Sequence, residues 1–184
     1  MKLNLGCGQN KKSGYVNVDK YGEPDVRHDL EKFPWPWPDD TFEEVEASHV
    51  LEHLGRDPDV FIGVMKELYR VCRGGAKVHI AVPHPRHDNF VSDPTHVRPI
   101  TPLLLNLFSR RLNLEWQAMR AANSPLALYH GVNFELRNLE TVLDEPYSSE
   151  YAAGRLSIGE VERSVRELNN IATEFRMELE VIKP

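Results

Sequence analysis

The fold is decided by Leu3-Asn4-Leu5-Gly6-Cys7-Gly8 and by Val16-Asn17-Val18-Asp19, which follows it closely. The first run predicts a short strand that ends in a Gly-x-Gly turn. A ligand can approach the backbone there, because glycine has no Cβ and tolerates a positive φ. The second run predicts a neighbouring strand, and the carboxylate of Asp19 at its tip can accept hydrogen bonds from both hydroxyls of a ribose. Together the two runs indicate a nucleotide-like ligand.

The spacing of these residues differs from that of the dinucleotide-binding fingerprint. That fingerprint, G-x-G-x-x-G, needs a third glycine for close helix packing and places its acidic residue about 20 residues further on. Here Lys11 occupies the third glycine position, and Asp19 comes early. A ligand with a ribose but no pyrophosphate fits this pattern better, which points to S-adenosylmethionine.

Several stretches in the first half of the chain carry a family resemblance. They are, in order, residues 3–8, 17–19, 29–30, 33–42 and 48–54. These stretches resemble the successive motifs of class I S-adenosylmethionine-dependent methyltransferases of the small, type-11-like branch, and the match extends from Met1 to about Pro83. The resemblance implies a Rossmann-like, mostly parallel α/β sheet with an antiparallel last strand. It also implies transfer of a methyl group from S-adenosylmethionine to an acceptor that the sequence does not identify.

The resemblance further implies which residues bind each part of the cofactor. Gly6, Cys7 and Gly8 would lie beside the amino-acid part, and Asp19 would bind the ribose. Asp29 and Leu30 would contact the adenine, and Ser48 and His49 would lie at the sulfonium end. Two of them have plainer interpretations, because Asp29 can equally be a loop carboxylate and Cys7 a small, tightly packed residue. We expect Glu52, in the same motif region, to be a solvated or capping residue.

Histidine suits the role of a general base, because its ordinary pKa of about 6.5 lies close to neutral pH. The histidines expected near the site are His49, His53, His84, His87 and His96. From these we select His84 and His96, together with Asp93, as candidate catalytic residues. An acceptor that is already nucleophilic would need no base.

Two alternatives to a methyltransferase stay open. The loop that follows the fifth predicted strand could hold a metal ion through His84 and His87, completed by Asp88, Asp93 or His96. Its prolines and the absence of thiol ligands argue against this, and we assign no metal ligands. The second alternative is a non-catalytic module that binds S-adenosylmethionine or S-adenosylhomocysteine.

Length and composition suit one domain spanning residues 1–184. Lysine and arginine number 22 against 28 aspartates and glutamates, for a formal net charge of −6, and no dense basic run occurs. Nucleic acid is therefore not indicated as a partner, although a local basic groove involving Arg110, Arg111 and Arg120 stays an option. The two cysteines, Cys7 and Cys72, form no disulfide framework. With no signal peptide or membrane-length apolar run, we expect a cytoplasmic protein.

Short connections predict that helices are missing from one side of the sheet. The interval 6–14 is too short and too rich in glycine for a full crossover helix, and 20–25 is shorter still. Three prolines and two tryptophans make 31–40 a loop. We expect helices near 102–122 and 157–172 to cover the sheet face left bare, directly or across a homodimer. We expect the tryptophans to pack over the sheet rather than to form a wall of the acceptor pocket.

The remaining elements follow from periodicity and capping signals. They are strands at 26–30, 42–47, 77–82, 134–142 and 175–181, helices from Asp57-Pro58 to Gly74-Gly75 and after the capping box at Ser157, and loops at 84–98 and 144–154.

Overall fold

The computed structural model describes residues Met1–Pro184, and its centre is one seven-stranded sheet. The strands are β1 (Lys2–Leu5), β2 (Val16–Asp19), β3 (Val26–Arg27), β4 (Phe42–Ser48), β5 (Cys72–Pro83), β6 (Phe134–Leu143) and β7 (Ala172–Val181). Their order across the sheet is β3-β2-β1-β4-β5-β7-β6. Strand β7 runs antiparallel to both of its neighbours, and the other pairs are parallel. The predicted fold class, a mostly parallel Rossmann-like sheet with an antiparallel last strand, is confirmed.

The helices are few and mostly short. They are α1 (Pro58–Val71), α2 (Asp88–Val91), α3 (Pro102–Asn106), α4 (Arg110–Ala118), α5 (Leu126–His130), α6 (Tyr147–Ala152) and α7 (Ile158–Glu167), with a 3₁₀ turn at Leu51–His53. The Asp57 side chain caps α1 and a capping box at Ser157 begins α7, as predicted. None of the helices combines the length and the apolar character that a membrane crossing requires.

One face of the sheet carries the hydrophobic core. Alternating side chains such as Val45, Val78 and Leu179 point to this face and are almost fully buried. The apolar stripe of α1 packs into the same core cluster, and Phe61 of α1 lies edge-on to Phe108, which follows α3. The core face therefore holds both α1 and the segment around residue 108.

The proline- and tryptophan-rich loop is held against the core by Arg70. Its guanidinium donates to the carbonyl oxygens of Trp35 (3.1 Å) and Trp37 (2.8 Å) and pairs with Glu67 (2.7 Å). Trp35 is 2% exposed, and Trp37 packs edge-on against Phe42. The prediction that these tryptophans pack over the sheet is confirmed.

The opposite face of the sheet stays open, so the prediction that later helices of the same chain cover it directly is wrong. Phe108 joins the core beside α1, and Val161 of α7 shares a cavity with Phe175, which points to the same side as Met177. The open face instead carries charged side chains paired across strands: Lys2 with Glu44, Lys12 with Glu46, and Lys77 and His79 with Glu178. Such pairs let a sheet face water without helices. The predicted homodimer and single-domain organisation stay predictions.

Two buried asparagines explain why no helix is needed between β1 and β2. Asn4 donates to Asn17 Oδ1 at 2.9 Å and to the carbonyl of Asn10 at 3.1 Å. Asn17 in turn accepts from Lys12 N at 2.7 Å and donates to Asp25 at 2.7 Å. The 6–14 segment is thus fastened to the sheet by side-chain hydrogen bonds and forms only turns, so the predicted loss of this helix is confirmed.

Several predicted boundaries are wrong. The third strand ends at Arg27, and α1 ends at Val71, so Gly74-Gly75 belong to β5. The segment near 102–122 forms two helices rather than one, because Ser109 caps the second helix at Leu112 N. Within the predicted loop at 144–154, residues Tyr147–Ala152 form a short helix.

Candidate active site

The carboxyl ends of β1, β2 and β4 meet at one edge of the sheet, where open α/β folds bind ligands. A cavity of about 320 Å³ opens there. Its lining comprises Gly6, Asp19, Lys20, Tyr21, His28, Asp29, Leu30, His49, Val50, His53, Leu54 and Thr95. The structure thus brings together Gly6, Asp19, Asp29, Leu30 and His49 from the residues predicted to bind the cofactor.

Both glycines of the Gly-x-Gly turn have a positive φ, 59° at Gly6 and 49° at Gly8. A Cβ on Gly6 would lie 2.5 Å from Val50 Cγ2, so only glycine fits between the turn and the segment after β4. A Cβ on Gly8 would meet nothing within 4 Å. Gly6 is therefore required by both conformation and space, and Gly8 by conformation alone.

Substituting Gly8 with alanine is expected to lower the free energy of unfolding by about 1 kcal/mol, the cost of a left-handed conformation for an L-residue. Gly159 is the matched control, because it lies in α7 without a positive φ, and a Cβ added there would meet nothing within 4 Å. Gly159→Ala is expected to raise the same free energy by about 0.5–1 kcal/mol through helix propensity. Urea unfolding measures the change in the free energy of unfolding of both variants. A change of the same sign and size in the two would contradict the conformational role of Gly8.

Asp19 holds the lip of the cavity and keeps capacity for a ligand. Its Oδ2 accepts from Gly8 N and its Oδ1 from Tyr21 N, both at 2.8 Å. A carboxylate offers about four lone-pair sites, so each oxygen can still accept one more hydrogen bond. The Asp19 carboxylate therefore fits a ligand that presents two adjacent hydroxyls.

The other predicted cofactor residues lie around this cavity rather than in its lining. The backbone N–H of Gly8 donates a hydrogen bond to Asp19. The side chain of Cys7 is buried, with 4% of its surface exposed. Burial, followed by the charge of Asp19, raises the pKa of the Cys7 thiol above its usual value, in keeping with a packed residue. Ser48 lies on the open sheet face in a groove that it shares with Glu46 and His79.

A second cavity, of about 670 Å³, adjoins the first through His49. Its lining is polar apart from two prolines and comprises His49, Pro83, Asn89, Ser92, Asp93, Pro94, His96, Thr173 and Glu174. His49 is the residue that lines both cavities. Groups bound in the two cavities would thus both lie beside the His49 side chain.

His49 lies between two carboxylates. Its φ of 51° turns the side chain away from the strand direction, and its Nε2 lies 3.0 Å from Glu174 Oε2. Its Nδ1 lies 3.5 Å from Glu52 Oε1. Glu52 first, and Glu174 after it, raise the pKa of His49 above its usual value, against the opposing effect of partial burial.

The structure brings two of the predicted catalytic residues together and places the third elsewhere. Asp93 Oδ2 lies 3.8 Å from His96 Nε2, and hydrogen bonds from Thr95 lower the pKa of Asp93. His84 packs edge-on against Phe175 and lines a different cavity, of about 900 Å³. Burial, with the nearby charge of Arg86, lowers the pKa of His84. His84 therefore does not join the His49 region.

The histidines and aspartates of the alternative metal site are also separated. His87 Nε2 pairs with Asp144 at 3.0 Å, and the backbone N–H of Asp88 donates to Asn170. Neither side chain joins His96. The structure thus does not assemble the metal site that the loop sequence alone allowed.

Glu52 is a functional candidate that was not expected from the sequence. It is 0% exposed, so the expectation of a solvated or capping residue is wrong. A signal was present, because Val50-Leu51-Glu52-His53-Leu54 places a charge inside an apolar run. Tyr21, by contrast, comes from a loop whose sequence gives no indication of a site, and Thr95 lies between Asp93 and His96 but was not itself singled out.

Solved structures resemble this chain at low sequence identity. A methyltransferase from Archaeoglobus fulgidus is 19% identical, with 97% of this chain and 85% of that chain covered and a TM-score of 0.61. One from Methanosarcina mazei is 13% identical, with 100% and 92% covered and a TM-score of 0.57. Both are described as dependent on S-adenosylmethionine.

A third structure was solved with ligands bound. It is the 1,6-didemethyltoxoflavin-N1-methyltransferase of Burkholderia thailandensis with S-adenosylhomocysteine, which is 12% identical, with 99% and 71% covered and a TM-score of 0.54. No protein-family model matches the sequence, and no curated protein matches it. The structural likeness and the strand order together show that the chain has the class I S-adenosylmethionine-dependent methyltransferase fold.

Proposed function

We propose that this protein transfers a methyl group from S-adenosylmethionine to a polar acceptor. The observation that carries the proposal is the position of His49, which lines both the cavity that contains Asp19 and a second cavity with a polar lining. Methyl transfer needs donor and acceptor aligned side by side, because the protein's main task is to position two reactants. The fold of the solved neighbours supports the same activity.

The first cavity fits S-adenosylmethionine. Asp19 has free lone pairs for the ribose hydroxyls, Asp29 and Leu30 line the region beyond it, and Gly6 leaves the backbone accessible. A cavity of this size is within the range for small-molecule ligands. When bound, the cofactor supplies a methyl group on a positively charged sulfur, which needs no further activation by the protein.

The second cavity fits an acceptor with hydroxyl, amine or carboxylate groups. Asn89, Ser92, Asp93 and Thr173 offer hydrogen-bond partners in its lining, and apolar side chains other than proline are absent from it. An acceptor O–H or N–H must lose a proton as the new bond to carbon forms. We propose that the Glu174 carboxylate, which lines this cavity and accepts a hydrogen bond from His49 Nε2 at 3.0 Å, takes up this proton.

Asp93 and His96 are proposed to contact the acceptor, since both line this cavity. His84 lies outside it, so we give His84 no part in the proposed reaction. The proposed location is the cytoplasm, which suits a chain whose two cysteines, Cys7 and Cys72, are both free thiols.

Calorimetric titration of the purified chain tests the cofactor assignment. S-adenosylmethionine and S-adenosylhomocysteine are expected to bind with one equivalent each, and NAD, the matched dinucleotide control, is expected not to bind. Binding of NAD in preference to both would contradict the proposal. Binding without methyl transfer to any of a panel of polar acceptors would favour the non-catalytic module instead.

A further inference from the structure

Glu52 is a buried carboxylate whose oxygens have no hydrogen-bond partner. It lies in the 3₁₀ turn Leu51–His53, is 0% exposed, and neither of its side-chain oxygens accepts a hydrogen bond. Its one ion-pair contact is with His49 Nδ1 at 3.5 Å. An uncompensated buried charge costs several kcal/mol, so a carboxylate in this position calls for a cation.

Arg98 does not supply that cation. Its guanidinium donates to the carbonyl of Gly55 at 2.7 Å and lies 4.8 Å from the centre of the Phe61 ring. Only backbone groups join it to Glu52, through a hydrogen bond of 3.3 Å from Arg98 N to Glu52 O. Apart from the contact with His49, the side chain of Glu52 therefore has no cationic partner.

Two histidines complete a donor set with Glu52. One ligand atom from each of Glu52, His53 and His96 lies within 4.8 Å of the other two. A zinc–ligand bond of about 2.1 Å allows ligand atoms to be up to about 4.2 Å apart, so small side-chain movements would close the site. Two imidazoles and one carboxylate are a set that binds divalent transition metals and leaves further positions free.

The protonation of both histidines suits this role. His96 Nδ1 lies 2.8 Å from the carbonyl of Phe90, which can only accept, so Nδ1 carries the proton. His53 Nδ1 lies 2.9 Å from Thr95 Oγ1, whose own proton is donated to Asp93 Oδ1 at 2.6 Å. His53 Nδ1 is therefore also a donor, and each ring keeps a lone pair on Nε2. Metal-binding histidines characteristically donate their other N–H in this way.

We propose that Glu52, His53 and His96 bind one divalent transition-metal ion of the zinc type. The site differs from the one considered from the loop sequence, with which it shares only His96. His53 lines the cavity of Asp19 and His96 lines the polar cavity, so the ion lies at their boundary. If the proposed methyl transfer holds, the free positions of the ion would coordinate an oxygen of the acceptor and orient it.

Calorimetric titration of the untagged chain with Zn²⁺, after treatment with a chelator, tests the site without cofactor or acceptor. One equivalent is expected to bind and to raise the midpoint of thermal unfolding, and Co²⁺ is expected to give visible absorption bands. Mg²⁺, which prefers oxygen ligands, is expected to bind much more weakly. Because no methyl transfer is measured, failure of the proposed activity would leave this result unchanged.

Variants separate the site from other histidines. Glu52→Gln is expected to weaken Zn²⁺ binding by about 100-fold or more, and Thr95→Val, which removes the partner of His53 Nδ1, by about 10-fold. His130→Gln is the matched control, because His130 lines none of these cavities. Glu52→Gln should fold at least as well as the metal-free chain, since it removes a buried charge. Absence of Zn²⁺ binding, or equal binding by Glu52→Gln, would overturn the proposal.

Discussion

Asp19→Asn is expected to raise the Kd for S-adenosylmethionine by about 100-fold or more. Both carboxylate oxygens of Asp19 already accept a backbone N–H, from Gly8 and from Tyr21. An asparagine presents one NH₂ group in place of an oxygen, so it faces one of these donors with another donor. The two proposed hydrogen bonds from the ribose hydroxyls to the charged carboxylate, at about 1.5 kcal/mol or more each, account for about 3 kcal/mol of binding free energy. That energy corresponds to roughly 100-fold in affinity.

Calorimetry with S-adenosylhomocysteine measures this loss without turnover, because this ligand keeps the ribose but has no methyl group to transfer. Glu23→Gln is the matched control: it removes one negative charge four residues further on, from an exposed side chain outside the cavity. Its Kd should stay within about twofold of that of the unaltered chain. Thermal unfolding of both variants tests whether the turn at Gly8 still forms. Unchanged affinity in Asp19→Asn would show that the ligand binds elsewhere.

The Gly-x-Gly turn and the position of Asp19 could be predicted from the sequence because their signals are local. A Gly-x-Gly turn after a strand and an acid at the end of the next strand depend on residues close together in the chain. Their arrangement in space then follows from the parallel pairing of β1 with β2. The loss of the helix between these strands was predictable for the same reason, since the length of the connection limits it.

The absence of any helix over the bare sheet face could not be predicted, because the contacts that stabilise this face are long-range. On this face Glu44 and Glu46 of β4 pair with Lys2 and Lys12, which lie more than 30 residues away in the chain. The positions of His84 and Glu52 depend likewise on contacts distant in sequence. His84 packs on Phe175, and Glu52 is covered by the segment whose Val97 donates to its carbonyl oxygen. The residue types of His84 and Glu52 therefore did not indicate which of the two lies near the site.

Arg70→Met is expected to lower the free energy of unfolding by about 2–4 kcal/mol. The substitution keeps the unbranched stem but leaves the carbonyls of Trp35 and Trp37 without their donor and Glu67, which is 13% exposed, without its cation. Removing one member of a partly buried charged network has a cost of this size, because the groups left behind stay desolvated. The loop that covers the core at Trp35 would lose the side chain that holds it.

Arg73→Met is the matched control for this loss, because it removes the same group only three residues further on. Arg73 is 57% exposed and makes a single pair with Glu43 at 2.9 Å, so its removal should change the free energy of unfolding by no more than about 0.5 kcal/mol. Urea unfolding followed by tryptophan fluorescence measures both variants, and Trp35 and Trp37 of the loop are two of the three tryptophans that give the signal. Equal free energies of unfolding for the two variants would contradict the prediction, because they would show that the loop covers the core without Arg70. A large difference with unchanged cofactor affinity would instead show that the loop stabilises the sheet without shaping the site.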